Sequence, residues 1–226
     1  MFFFDGTFFI LIPAILLTLY AQFKVKTIYA KYLKISAKNG MTGIDVAKKL
    51  LQENGLSNIK IELLEGKLSD HYDSQNKKLG LSREVCYSRS IAAQGIAAHE
   101  IGHAIQDLKK YFPLAIRNNL VPITNIGSHI AVPLFLIGFL FSLPGLMEIG
   151  IITFSLVVLF QIITLPVEFD ASKRAVKMLS KGSIISDKEA VSIKKVLDAA
   201  ALTYIASTAI AVMQLLRLVV LRNRRG

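Results

Sequence analysis

Four stretches of this chain are predominantly apolar and contain no aspartate, glutamate, lysine or arginine. They are residues 6–23, 118–147, 149–167 and 199–216, which run for 18, 30, 19 and 18 residues. A helix rises about 1.5 Å per residue, so each stretch is long enough to cross the roughly 30 Å hydrocarbon core of a bilayer. The pattern therefore predicts membrane-spanning helices, and the continuous apolar part of the second stretch begins near residue 126.

A short interruption separates the second and third stretches. One proline, two glycines and a glutamate fall between residues 144 and 150, which predicts a turn and hence a transmembrane hairpin over residues 126–167. The first stretch is followed rather than preceded by lysines. We therefore expect residues 6–23 to be a retained anchor and not a cleaved secretory signal.

The basic residues are confined to three segments of the chain. Of the 27 lysines and arginines, 16 lie in residues 24–117, seven in residues 173–195 and four from Arg217 onward. Because basic residues concentrate on the cytoplasmic side of membrane proteins, we expect an outside N-terminus, two cytoplasmic segments and an outward hairpin between them. The last apolar stretch does not fit this bias, since a crossing there would place the final arginines outside. Residues 199–221 are predicted as either a fourth span or an interfacial helix.

Composition excludes several other classes of protein. Hydrophobic residues make up 53% of the chain, the mean hydropathy is +0.48 and the net charge is +11. The apolar content excludes a disordered chain, and the single cysteine, Cys86, excludes a disulfide scaffold. Basic cytoplasmic flanks account for the charge of a membrane protein, so we predict no nucleic-acid partner.

Residues 24–125 are long enough to form a compact cytoplasmic domain. A helix that continues from the anchor should end near Gly40, where asparagine and glycine form a stop signal. Thr42 and Asp45 then match the capping-box pattern and should begin a short helix that ends near Gly55.

Two strands and a longer helix should follow. Residues 59–63 alternate apolar and polar side chains, and a second short strand, residues 79–81, follows the polar run of residues 73–78. We expect these two strands to pair as a β-hairpin with a long tip. Ser90 is a candidate N-cap for a helix from residue 91 to about residue 108.

That last helix carries the run His99-Glu100-Ile101-Gly102-His103. Histidines four apart project from one helix face, so both imidazoles can bind one ion while Glu100 contacts a water on it. The pattern predicts a catalytic Zn²⁺ site, in which the ion lowers the pKa of its water and polarises a carbonyl, and Glu100 acts as general base. Two unrelated histidines on an ordinary helix face are the alternative. A glutamate beside one of only four histidines, among small residues, favours zinc.

Catalytic zinc usually has three protein ligands, so a third must be found. The other histidines, His71 and His129, lie on the predicted hairpin and at the start of the second span. Glu168 is favoured, because it follows the third span where the chain returns to the side that holds the HExxH helix. The basic residues after it would also suit a solvated or ion-paired glutamate. The assignment therefore depends on the need for a third ligand.

A second polar cluster is the run Asp70-His71-Tyr72-Asp73. Its side chains could donate to a tetrahedral oxyanion or hold a zinc histidine from behind, or they could form a polar turn in which Tyr72 is half-buried. The strand beside the cluster is expected to pair with an extended substrate through main-chain hydrogen bonds.

Nearly the whole chain resembles the YugP-like membrane zinc metallopeptidases, bacterial neutral zinc peptidases of the cell membrane. The resemblance rests on the N-terminal anchor, the 70–73 cluster before Leu79-Gly80-Leu81-Ser82, the run AlaAlaHisGluIleGlyHisAla, the hairpin, and ProValGluPheAspAlaSer. More distantly, the layout is similar to HtpX-type heat-shock membrane proteases and CaaX prenyl endopeptidases. Those proteins follow a HExxH helix with membrane helices and a Glu ligand in a Glu-x-x-x-Asp helix.

The resemblance implies which residues act in the chemistry: the zinc ligands His99, His103 and Glu168 and the general base Glu100. The position that matches the Asp of Glu-x-x-x-Asp is Ser172. The carboxylate that holds a ligand histidine must then come from elsewhere, and Asp170 and Asp107 are the candidates.

The sequence thus predicts a mainly α membrane protein with three or four transmembrane helices and a small α+β zincin-like cytoplasmic domain, which carries the HExxH helix and a β-hairpin. Its predicted parts are an anchor over 6–23, the zincin-like domain over 24–125, the transmembrane hairpin over 126–167, a cytoplasmic segment with the third ligand over 168–198, and a transmembrane or interfacial helix over 199–221. The predicted activity is zinc-dependent endopeptidase cleavage. We expect one Zn²⁺ per chain, a membrane-associated polypeptide substrate, and an active site on the cytoplasmic face of the cell membrane.

Two alternatives stay open at this point. An intramembrane site-2-type protease needs its HExxH helix inside the bilayer and an Asp ligand in a later span, but only 17 residues separate Arg89 from Asp107 here, which is short for a span. A non-catalytic membrane adaptor would hold a structural zinc, which has no need of a general base such as Glu100.

Overall fold

The computed structural model describes residues 6–224 as a mainly helical protein with one small sheet. A 3-10 turn, Gly6–Ile10, precedes the first helix. The helices are α1 Ile12–Leu33, α2 Gly43–Glu53, α3 Arg83–Tyr87, α4 Ile91–Leu108, α5 Phe112–Leu140, α6 Pro144–Lys181 and α7 Asp187–Asn223. The strands are β1 Lys60–Leu64, β2 His71–Asp73 and β3 Lys78–Ser82. The prediction of a mainly α protein is confirmed. Arg225, one of the final arginines in the charge argument above, lies outside the described residues.

The chain divides into two compact units. Within the described residues, the apolar unit consists of residues 6–22, 115–166 and 203–224. The HExxH unit consists of residues 23–114 and 167–202. The shorter helices α2, α3 and α4 and the whole sheet belong to the HExxH unit alone.

Among residues 6–224, three helices, α5, α6 and α7, are long and apolar enough to cross a membrane. Helix α1 is not among them, because Lys24 and Lys26 lie inside it and shorten its apolar part. The anchor over residues 6–23 therefore stays a prediction. The predicted boundaries after residues 125, 167 and 198 fall inside continuous helices, so they mark changes from polar to apolar sequence and not ends of helices.

Helices α6 and α7 run antiparallel within the apolar unit. The Thr208 hydroxyl donates to the Gln161 carbonyl over 3.3 Å. Near the ends of the two helices, the Arg222 guanidinium lies 3.5 Å from the Glu148 carboxylate. The C-terminal end of α7 therefore lies beside the N-terminal end of α6, which is the arrangement expected if α7 crosses the bilayer.

Local capping signals place the helices of the HExxH unit as predicted. Thr42 and Asp45 form a capping box at the start of α2. The Ser90 side chain accepts a hydrogen bond from the Ala93 amide and begins α4 at Ile91. Most of α4 is buried, with alanines along its length, so it is the central helix of this unit. A buried helix of small residues lets neighbouring elements approach closely.

The two longer strands pair as predicted, but the predicted antiparallel hairpin between them was wrong. The sheet has the order β1-β3-β2, in which β1 and β3 are parallel and only β2 and β3 form an antiparallel hairpin. The cluster of residues 70–73, expected ahead of the second strand, is itself mostly the edge strand β2. A parallel pair needs a crossover connection, and residues 65–77 supply it. Leu68 and Lys77 take left-handed conformations in this segment, with φ of 55° and 52°.

Helix α1 ends earlier than the sequence indicated. It stops at Leu33 instead of near Gly40. The next residues pair with the segment before α4, since the Ile91 amide donates to the Ile35 carbonyl and the Ala37 amide donates to the Arg89 carbonyl. These backbone bonds come from residues more than fifty positions away and compete with the helix, so local sequence could not reveal them.

Candidate metal centre

Three side chains from two helices meet at one point in the HExxH unit. Helix α4 contributes His99 and His103, and α6 contributes Glu168. The Oε2 atom of Glu168 lies 3.3 Å from Nε2 of His99 and 3.5 Å from Nε2 of His103. One ligand atom from each of the three residues lies within 4.8 Å of the others. The residues that the sequence named as ligands are therefore brought together.

A close helix contact brings Glu168 to the histidines. A Cβ atom added at Gly102 would lie 2.6 Å from the carbonyl oxygen of Ala171 in α6. Only a glycine fits there, because the contact is with backbone and cannot move aside cheaply. Gly102 is the residue before His103, and Ala171 lies one turn after Glu168. Gly102, the glycine of the HExxH run, thus lets the two ligand-bearing segments approach.

The distances from Glu168 to the two histidines fit a tetrahedral zinc ion. Zinc binds imidazole nitrogen and carboxylate oxygen at about 2.0–2.2 Å, so two tetrahedral ligands stand roughly 3.3–3.5 Å apart. The two distances from Glu168 match this spacing. Two nitrogens and one oxygen are also the donor set of catalytic zinc sites, which leave the fourth position open. The chemistry of the residues and their spacing therefore agree.

The second ring nitrogen of each histidine, Nδ1, contacts another side chain. The Ser172 hydroxyl lies 3.2 Å from Nδ1 of His99. The side-chain oxygen of Gln106 lies 3.0 Å from Nδ1 of His103. Such outer contacts orient metal-binding imidazoles. Ser172, which replaces the aspartate of the related pattern, contacts a ligand histidine directly.

The electrostatics around His103 favour positive charge. Burial lowers the pKa of this imidazole, but the hydrogen bond with Glu168, the negative charges of Glu100 and Glu168, and Gln106 together outweigh burial and raise the pKa. Two carboxylates beside two imidazoles stabilise a cation at this point. A divalent metal ion meets the same need.

Glu100 lies on α4 beside His99 and is 8% exposed. Within residues 6–224, its carboxylate makes no hydrogen bond or ion pair. A nearly buried carboxylate without a bonded partner can accept a proton from a water molecule. This arrangement suits the role of general base that the sequence predicted.

Asp107 lies away from the ligand histidines and binds other groups. Its carboxylate accepts a 2.7 Å hydrogen bond from the Tyr72 hydroxyl and pairs with the Lys77 ammonium. Burial and this hydrogen bond raise the pKa of Tyr72. The Tyr72 side chain of β2 therefore contacts α4 about one turn beyond His103. It is half-buried, as expected if the 70–73 cluster forms a polar turn.

The other members of the cluster act in the turn and the sheet. Both carboxylate oxygens of Asp73 accept hydrogen bonds from the turn residues Gln75 and Asn76. The exposed ring of His71 contacts the Ser69 carbonyl. None of these contacts reaches His99, His103 or Glu168. The proposed contribution of His71 and Asp73 to the chemistry stays a prediction without support from their contacts.

Sequence reasoning missed Gln106. Its amide nitrogen donates to the Val167 carbonyl over 2.8 Å and to Asp170 over 2.9 Å. Asp170, a candidate for holding a histidine, reaches His103 only through this amide, and it also pairs with Arg174. The available signal was position, because Gln106 lies three residues after His103 on a buried helix.

Comparisons with known proteins agree with the geometry. A family model described as "Putative neutral zinc metallopeptidase" matches residues 7–223. The chain is 43% identical over 213 residues to "Putative membrane protease YugP" of Bacillus subtilis (strain 168), a match that covers 94% of this chain and 95% of that protein. No solved structure matches the chain. Since both matches span nearly its whole length, the chain belongs to this YugP-like family of zinc metallopeptidases.

Proposed function

We propose that the chain is an integral membrane zinc endopeptidase in which His99, His103 and Glu168 hold one Zn²⁺ and Glu100 is the general base. The observation that carries the proposal is the convergence of the three ligand atoms within 4.8 Å of one another, with the Glu168 carboxylate 3.3 and 3.5 Å from the two imidazole nitrogens. Family membership supports the same chemistry.

The residues divide the work of peptide hydrolysis between them. Zinc bound by the three ligands supplies a Lewis acid that polarises the peptide carbonyl and makes a water more acidic. The Glu100 carboxylate takes a proton from the attacking water and delivers it to the nitrogen of the leaving amine. Ser172 and Gln106 keep the two imidazoles aimed, so the ligand geometry does not have to form during the reaction.

The strand beside the 70–73 cluster, β3, was expected to pair with substrate, but β1 and β2 already occupy both of its edges. The edge strand β2 is therefore the proposed docking place for substrate. It lies at the edge of the sheet and is tied to α4 through Tyr72 and Asp107. An extended chain added to such an edge binds mainly through main-chain hydrogen bonds. The expected specificity is therefore broad, for unfolded or extended segments of membrane-associated polypeptides on the cytoplasmic side.

The two alternatives have less support. A site-2-type protease needs a HExxH helix within the bilayer, but α4 is not among the helices apolar enough to cross within residues 6–224. The ligand that meets the histidines is also a glutamate, Glu168, and not an aspartate. A structural zinc in an adaptor would be closed by a fourth protein ligand, and the metal-binding group in the described residues has three.

Replacement of Glu100 tests this mechanism. Purified full-length Glu100→Gln in detergent should keep one zinc per chain while cleavage of an unfolded protein falls by at least about 100-fold, because the base is lost and the ligands remain. His99→Ala should lose both zinc and cleavage. Near-normal cleavage by Glu100→Gln would show that the mechanism is wrong.

A further inference from the structure

We infer that Gln106 is a positioning residue of the metal centre, which aims His103 and also fixes the segment of α6 that carries Glu168. The inference rests on the proposed zinc site and extends it to a residue that touches neither metal nor substrate. Gln106 is fully buried, at 0% exposure. A wholly buried amide beside a ligand histidine has to be explained by its contacts.

All the hydrogen-bonding groups of this amide are used. Its oxygen faces Nδ1 of His103, and its nitrogen donates to the Val167 carbonyl and the Asp170 carboxylate. A primary amide has two N–H donors, and both partners of the nitrogen are pure acceptors. Rotating the amide by 180° would set its oxygen against two acceptors. The orientation of Gln106 is therefore fixed by α6.

This fixed orientation decides the tautomer of His103. Because an amide oxygen can only accept, Nδ1 of His103 must carry the hydrogen. The lone pair of the neutral ring is then on Nε2, the atom that lies 3.5 Å from the Glu168 carboxylate. The Ser172 hydroxyl behind His99 can donate or accept, so it imposes no such choice. Gln106 alone selects the metal-binding tautomer of its histidine.

The same side chain clamps α6 on both sides of the third ligand. Val167 immediately precedes Glu168, and Asp170 follows two residues later. Asp170 is held in turn by Arg174, whose guanidinium lies 5.9 Å from the centre of the Tyr111 ring. The Tyr111 amide donates back to the Gln106 carbonyl over 2.8 Å. These contacts run from Gln106 through α6 and back to Gln106, so they join the end of α4 to the turn of α6 that carries Glu168.

Gln94 provides a matched control for the general effect of losing a buried amide. It lies on the same helix, three turns earlier, and is also 0% exposed. Its amide bonds to Asn39 and to the Met41 carbonyl. None of these partners touches His103 or Glu168. Loss of either glutamine should destabilise the fold, since buried partners lose their bonds, but only Gln106 should affect the metal.

The test compares zinc affinity in full-length Gln106→Leu and Gln94→Leu, measured by competition with a chromophoric chelator, together with thermal unfolding of the metal-free proteins. We expect Gln106→Leu to bind zinc about 10- to 100-fold more weakly than the parent, as for loss of other outer-sphere partners. Gln94→Leu should unfold at a lower temperature yet bind zinc within about twofold of the parent.

Gln106→Glu separates the two roles and serves if Gln106→Leu does not fold. It keeps an acceptor for His103 but loses both donors to α6, so it should also bind zinc more weakly. Parent-like affinity in Gln106→Glu would overturn the clamp on α6. Parent-like affinity in Gln106→Leu, or equal loss in Gln94→Leu, would overturn the inference while leaving the proposed function intact. A wild-type protein that binds no zinc would overturn both.

Discussion

The two units use the hydrogen bonds of their polar side chains in different ways. In the apolar unit, the hydroxyls of Thr124, Ser155 and Thr164 each donate to the carbonyl four residues earlier in the same helix. In the HExxH unit, the amides of Asn39, Gln94 and Gln106 donate to backbone carbonyls of other segments. The first pattern satisfies a polar group without a neighbour, and the second ties elements together.

This difference fits the surroundings that each unit is proposed to have. Helices in hydrocarbon must satisfy polar groups internally, and a hydroxyl that bonds its own helix does so. A metal centre needs ligands from distant segments held within a fraction of an ångström, and cross-linking amides provide this. The apolar unit has its own links between elements, in Thr208 with Gln161, Arg222 with Glu148 and Arg217 with Thr7, and two of the three involve arginines near the end of α7.

The largest expected difference between the units is the side of the membrane that each reaches. With Cys86 replaced by alanine, Glu148→Cys and Asn223→Cys should react with an impermeant thiol reagent in intact cells. Gln75→Cys, in the turn between β2 and β3, should react only after permeabilisation. The basic segments predict a cytoplasmic HExxH unit, and the contact of Arg222 with Glu148 predicts that the two outer sites behave alike.

Labelling of Gln75→Cys in intact cells would place the active site outside and change the substrates to exported proteins. Protection of Asn223→Cys while Glu148→Cys reacts would show that α7 does not cross.

A smaller but specific effect is expected from the helix contact at the metal centre. Gly102→Ala sets a methyl group against the Ala171 carbonyl at 2.6 Å, so α4 and α6 must separate. Overpacking of this kind costs about 1–3 kcal/mol, and the separation should weaken zinc binding along with stability. Gly145→Ala, in the apolar unit, has open space around the added methyl and is the control. Chelator competition and thermal unfolding measure both properties.

Unchanged zinc affinity in Gly102→Ala would mean that the close approach of the helices does not set the position of Glu168.

The smallest expected effects are on stability. Removing a polar group that bonds only its own helix should cost less than removing one that links two segments. Thr164→Val removes a hydroxyl that, within the described residues, bonds only its own helix, and we expect stability to change by less than about 0.5 kcal/mol. Asn39→Ala removes bonds to Gln94 and to the Ile184 carbonyl, which should cost about 1–3 kcal/mol. Chemical unfolding of the two variants measures the difference. Equal losses would remove the distinction between the units.

The sequence predicted the features that depend on neighbouring residues. The capping box of Thr42 and Asp45, the start of α4 after Ser90 and the common face of His99 and His103 follow from spacings of three or four residues. Such spacings are read directly from a helix. Glu168 was also named, because chemistry required a third ligand.

The features that sequence reasoning missed depend on distant partners. The three-residue strand β2 is too short to show alternation, so the parallel pairing of β1 with β3 was not foreseen. Gln106 carries no charge and is not a metal ligand, and its position three residues after His103 was the one local signal. Its importance is visible only once α6 lies beside α4.

The most direct test of the account is zinc K-edge X-ray absorption of the purified protein, with Glu168→Gln measured alongside. The account predicts one zinc per chain with two imidazole nitrogens and oxygen ligands at about 2.0–2.2 Å, and a marked loss of zinc affinity in Glu168→Gln. A sulfur ligand at about 2.3 Å, a single imidazole, or a Glu168→Gln protein with the spectrum and affinity of the parent would contradict it.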